Sequence, residues 1–161
     1  MNSYKEYVEE LINKRSDKII ANSSDDLFME VLEVVFKKSM NEVIMVINDE
    51  TSMECINRTV FDAIISFLNF GGILRVFVNK RFPDGKFSIF LNRIINDEKY
   101  KKNVFYNKIG EITDTDNNVV EYVVFDNTGY RYKPNVNKSP AIFCANDVEF
   151  CSRLLKCLKT R

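Results

Sequence analysis

The stretch EYVVFDNTGYRYK, Glu121 to Lys133, gathers two acids, two cations and three tyrosines within one short span. Carboxylates such as Glu121 and Asp126, with Arg131 beside them, could bind Mg2+ for phosphodiester hydrolysis. Exposed Arg131 and Lys133 would suit a phosphate or carboxylate partner. A buried Arg131 would instead be structural, paired with Asp126 across the turn or with Glu121. Tyr130 and Tyr132 share one face of a strand because strand side chains alternate, and Tyr122 can join them from the neighbouring strand. Such a stripe is either a half-buried sheet face or a surface on which bases stack. Strand parity sets Asp126 on the face of Tyr122.

The chain contains no histidine. Ser-His-Asp triads, Cys-His pairs and histidine metal sites are therefore excluded. The four cysteines, Cys55, Cys144, Cys151 and Cys157, form no CxxC pair and read as small apolar residues in a reducing cytoplasm. Cys144 lies in the apolar run AIFCA, where burial would keep its thiol inert. Ser139 is the first hydroxyl after the tyrosine stretch, and no base with a pKa near neutrality stands beside it in the sequence. DTD at Asp114–Asp116 lacks the glycine and distal glutamate of an EF-hand loop and reads as a solvated turn. Gly71-Gly72 lacks the spacing of a nucleotide-binding turn and reads as a helix terminator. No metal ligand set and no cofactor is expected.

A second set of candidates lies where strands should end. EVIMVI and ILRVFV are near-continuous apolar runs of the kind that form central parallel strands covered on both faces. Strand, helix and strand at this spacing form a right-handed crossover unit. Ligands gather at the carboxyl ends of such strands. Here those ends carry Asn48, Asp49 and Glu50, then Asn79, Lys80 and Arg81, then Asn107 and Lys108. A small-molecule sensor would show a deep pocket holding Asn48, Asp49, Asn79 and Lys80.

The rest of the pattern supplies the frame. SYKEYVEELINKR is an amphipathic helix, and Lys18 to Ala21 a short strand. SSDDLFMEVLEVVFKKSM is a helix with Ser24 as cap, acids in its first turn and lysines near its last. MECINRTVFDAIISFLNFGG reads as a second long helix and KFSIFLNRIINDEKY as a weaker third. NVFYNKIG is a strand, VVEYVVFD and GYRYKP a β-hairpin around Asn127-Thr128-Gly129, AIFCAN a strand and DVEFCSRLLKCLK a closing helix. The fold class is α/β, a mixed β-sheet with helices on both faces.

At 161 residues the chain reads as one domain, an N-terminal helix over 1–17 followed by a core over 18–161. Lys+Arg and Asp+Glu number 23 each, which argues against nucleic-acid or membrane binding driven by bulk charge and leaves a local basic patch open. No apolar signal core and no run of about 18 apolar residues is present. A cytoplasmic protein is expected.

LNFGGILRVFVN after a helix, with VVFDNTGYRY and SPAIFCANDVEFCSRLLKCL at the end, resembles the phospholipase D-like family from about Lys18 to Lys159. In that family a glycine-terminated helix feeds a strand, and later come a strand, a hairpin, another strand and a closing helix. Its catalytic signature is H-x-K-x4-D. With Asp126 in the aspartate position, the histidine falls on Val119 and the lysine on Glu121. A valine cannot attack phosphorus, and a glutamate repels a phosphoryl group. The resemblance thus implies a non-catalytic member, a homodimer by family habit, that binds a protein partner. Nucleic acid is a further partner that the net charge does not support. The resemblance also implies a bacterial defence or toxin-type setting. The alternatives are a metal-dependent phosphodiesterase or nuclease using hairpin carboxylates, and the strand-end sensor.

Overall fold

A computed structural model of the chain describes residues 3–136 and 140–159. Its helices are α1 (Tyr4–Asn13), α2 (Asp25–Lys38), α3 (Arg58–Asn69), α4 (Lys86–Ile95) and α5 (Val148–Lys159). Its strands are β1 (Ile19–Ala21), β2 (Glu42–Ile47), β3 (Ile73–Asn79), β4 (Val104–Ile109), β5 (Glu121–Phe125), β6 (Gly129–Lys133) and β7 (Ile142–Cys144). They form a seven-stranded sheet in the order β1-β7-β6-β5-β2-β3-β4. The β2–β3 and β3–β4 pairs are parallel, and the remaining pairs are antiparallel. This is the expected mixed α/β sheet. The parallel strands of the crossover unit lie in it as the apolar runs required.

Period-2 alternation divides the sheet into two unequal faces. Val43, Met45, Ile47, Leu74, Val76, Val78, Val123 and Phe125 point into the larger core, shared with α1, α2, α3 and α4. Val46, Tyr122, Val124 and Tyr130 point to the other side, where Cys151 and Leu154 of α5 meet them. Among the described residues, four helices therefore cover one face and α5 lies on the other. Beside α5, Ile44 and Phe77 floor a groove of about 510 Å³ walled by Leu155 and Leu158.

The helix boundaries follow from caps. The Ser24 side chain accepts from the Leu27 amide, while Asp25 and Asp26 occupy the first turn of α2 and Lys37 and Lys38 its last. The long helix expected from Met53 onward is shorter. Residues Glu50–Met53 form a separate 3₁₀ turn capped by Asp49. The Asn57 side chain then accepts from the Val60 amide and starts α3 anew. An Asx cap just ahead of the apolar periodicity outcompetes continuation of the helix. At the other end of α3, Gly71 takes φ +90, the left-handed turn that ends the helix.

Candidate functional site

The sequence candidates separate onto the two ends of one hairpin. Asp126 and Asn127 carry the positive φ values of the β5–β6 turn, 52 and 58, and the Thr128 amide closes it onto the Phe125 carbonyl. Gly129, expected inside the turn, instead begins β6. A side chain there would meet the Phe125 ring and, at 2.7 Å, the Ala145 carbonyl oxygen.

Asp126 does not join Tyr122. Its left-handed backbone interrupts the alternation that strand parity assumes. Its carboxylate turns onto the start of β2, where Oδ2 accepts from the Met40 amide at 2.8 Å. Oδ1 accepts from the amides of Asn41 at 2.8 Å and Glu42 at 3.0 Å. Glu121 sits at the opposite end of β5, about 16 Å away at strand rise. The structure therefore does not bring Glu121 and Asp126 together as a joint ligand set. Nor does Asp126 meet Arg131 across the turn.

Around Glu121 the picture is different. The register pairs Glu121 with Lys133 and Val123 with Arg131, so Glu121, Arg131 and Lys133 share the face toward α2. Glu121 is buried, and one carboxylate oxygen accepts from two successive backbone amides at the end of β2, Asn48 at 3.0 Å and Asp49 at 3.2 Å. Arg131 is only 3% exposed. Its Nε donates to Asn22 Oδ1 at 3.1 Å, its Nη2 to the Asn22 carbonyl at 3.4 Å, and its guanidinium lies 3.8 Å from the Phe28 ring centroid. Asn22 is itself held by α1, its Nδ2 donating to the Tyr4 hydroxyl at 2.9 Å. Glu121 and Arg131 line the same sealed niche with Phe28 and Ser52.

The electrostatics of the niche follow from burial. Loss of water pushes the Glu121 carboxyl above its ordinary range, opposed by the Asp49 and Asn48 amides and then by Arg131 and Lys133. The same loss lowers Arg131 to about 10, opposed mainly by Glu121. Neither carboxylate expected to pair with Arg131 makes a hydrogen bond or an ion pair with it, and Glu121 is the one whose charge opposes its loss of the proton. It acts through the field across the niche, while the hydrogen bonds of Arg131 go to Asn22.

The tyrosine stripe is a sheet face. Tyr122 is buried and donates to the Leu154 carbonyl at 2.9 Å. Tyr130 and Tyr132 pack on Phe150 of α5, with centroids at 4.6 and 5.2 Å. Desolvation pushes the Tyr130 hydroxyl up to about 12. Tyr122 and Tyr130 offer no open ring face of the kind bases stack on, and Tyr132 is half-buried with Phe150 of α5 against it.

At the strand ends, Asn79 donates to Asn48 Oδ1 at 2.9 Å and accepts from the Arg81 amide at 3.0 Å. Lys80 is exposed, Arg81 pairs with Glu111, and Lys108 pairs with Asp84. The space lined by Asn48 and Asn79 is about 10 Å³, around the size of a single water probe. The deep pocket that a sensor of this kind requires is not formed among the described residues. Asp114 accepts from the amides of Asp116 and Asn118, as a turn residue does. Burial raises the Cys144 thiol, in keeping with an inert residue. Ser139 lies outside the described residues.

Reasoning from sequence did not reveal Asn22 as the partner of Arg131. Nor did it foresee the burial of Glu50, named only as part of a polar strand end, whose Oε2 accepts from the Ser88 amide at the start of α4. A residue typed as acidic in a polar loop carries no signal of such burial.

No family model matches the sequence, and no curated protein matches it. Solved structures do. TrmBL2, an archaeal chromatin protein with a novel mode of DNA binding, superposes with a TM-score of 0.63 at 11% identity, over 97% of this chain and 58% of its own. Nuc, a phospholipase D family member from Salmonella typhimurium, gives 0.61 at 12% identity over 89% of this chain and 93% of its own. NucT from Helicobacter pylori gives 0.61 at 10% identity over 89% and 92%. This chain thus spans little more than half the length of TrmBL2 and nearly all of the two others. Its fold is phospholipase D-like.

Proposed function

We propose that this chain is a non-catalytic phospholipase D-like module that acts by binding, as a homodimer engaging a protein partner. One observation carries the reading. The position where the H-x-K-x4-D signature requires a lysine holds Glu121, and its carboxylate already occupies backbone amides and faces Arg131. Val119 stands at the histidine position, and a valine supplies no nucleophile. The groove between α5 and the sheet, with its apolar floor, supports a role in binding a protein segment. A bacterial defence or toxin-type setting is part of the same reading, through the family resemblance.

The purified protein should leave a generic phosphodiester and DNA intact in EDTA, and light scattering at micromolar concentration should report a dimer. Turnover that survives EDTA and disappears on changing one residue of β5 or β6 would overturn the non-catalytic reading. A monomer would remove the homodimer. DNA binding is the second reading, supported by the likeness to TrmBL2 across almost the whole chain. A gel shift whose affinity falls with rising salt would favour it over a protein partner.

A further inference from the structure

We propose that the amides of Asn48 and Asp49, together with Arg131, form an oxyanion site for a carboxylate or phosphoryl group, and that the chain closes this site with its own Glu121 as a tethered ligand. The inference deepens the reading above and rests on it for the absence of turnover.

The geometry is that of a ligand in a receptor. Two consecutive N–H groups converge on one oxygen of Glu121, at 3.0 and 3.2 Å. Oxygens held by successive amides are anion sites in general, because the donors are fixed by the backbone and need no reorganisation. The cation that completes the site is equally fixed. Arg131 is clamped by two bonds to Asn22 and by the Phe28 ring, and Asn22 by the Tyr4 hydroxyl. Removal of Glu121 would leave the buried Arg131 charge without a carboxylate beside it, and a buried cation left so gains from an anion in the vacated space. The carboxylate reaches the amides from a residue 73 positions away in the chain, so only the fold brings it there. Tethering makes Glu121 an intramolecular ligand that a free anion would have to displace. The native chain accordingly takes up no external phosphate in this niche.

Truncation should expose the site. Glu121→Ala removes the carboxylate and leaves the amides and Arg131 in place. Its Tm should rise by about 3 °C or more in tens of millimolar sodium formate or phosphate over sodium chloride of equal ionic strength, the signature of an anion bound by the folded state. The formate and phosphate arms separate a carboxylate site from one that also admits phosphoryl groups. Wild type should not respond, and neither should Glu121→Gln, whose amide oxygen still fills the cradle. If Glu121→Ala is unfolded in chloride, its circular dichroism should recover in formate or phosphate. Equal behaviour of Glu121→Ala in all three salts, folded or unfolded, overturns the site. So does an equal response from Glu121→Gln. Neither outcome touches the hydrolysis test, and phosphodiester turnover by wild type would leave this anion titration unchanged.

Discussion

Burial sorts residues of the same chemical type into different behaviours. Cys55 is exposed, whereas Cys151 of α5 is fully buried against the sheet and desolvation pushes its thiol up to about 12. A thiol reagent at neutral pH should therefore modify Cys55 rapidly in the folded protein and reach Cys151 only on unfolding. Labelling followed by peptide mass analysis, with and without denaturant, checks this order. Modification of Cys151 at the rate of Cys55 would contradict the packing of α5. Glu50 makes a similar case for carboxylates. It is 6% exposed, and desolvation raises its pKa against the opposing pull of the Ser88 and Gly85 amides. A carboxyl with a raised folded pKa stabilises the fold fully below its unfolded value, and loses that contribution as pH rises through the folded value. Glu50→Gln does not titrate. Its Tm relative to wild type should therefore increase between about pH 4, near the ordinary carboxyl range, and neutrality. A difference that stays constant over that interval would mean that burial does not perturb Glu50.

At the scale of elements, the hairpin turn is fastened to the start of β2 through Asp126, which accepts from three successive backbone amides. Asp126→Ala orphans all three at once. About 2 kcal/mol of stability should be lost, since bonds to a charged acceptor are individually strong but Met40 and Asn41 regain water. That corresponds to roughly 5 °C in Tm. Asp126→Asn keeps an acceptor and tolerates the positive φ, so its loss should be smaller. Denaturation midpoints of the two variants test the order. This attachment also shows what the sequence could convey. β2 and β3 were legible because their residues face apolar layers on both sides, and α2 because its cap, charges and periodicity agree. The hairpin itself was legible from its turn residues. The destination of Asp126 was not, because its partners are amides 84 to 86 positions distant and amides have no residue type. Glu121 and its amides, and Arg131 with Asn22 109 positions away, were hidden for the same reason. The N-terminal helix reads as an appendage in sequence. In the fold it supplies Tyr4, which holds the Asn22 that holds Arg131.

The whole molecule bears on whether the phospholipase D signature could work if its residues were placed in this fold. Val119→His with Glu121→Lys rewrites the signature H-x-K-x4-D around Asp126. The surroundings oppose it. A lysine at 121 would direct a cation at two N–H donors and at the field of the buried Arg131, where a carboxylate is now held. Asp126 would also remain at the far end of β5, fastened to the start of β2. A lysine there would set a second buried cation beside Arg131 with no carboxylate to offset either, and an uncompensated buried charge costs about 3–5 kcal/mol. The double variant should therefore lose at least roughly 10 °C in Tm and show no phosphodiester hydrolysis in EDTA. Glu121→Lys combined with Arg131→Met should recover part of the lost stability, because the competing cation is gone. Calorimetry of the two variants beside wild type decides the point. A double variant as stable as wild type would show that the niche tolerates a cation, and one that hydrolyses phosphodiesters in EDTA would show that this fold can house the signature.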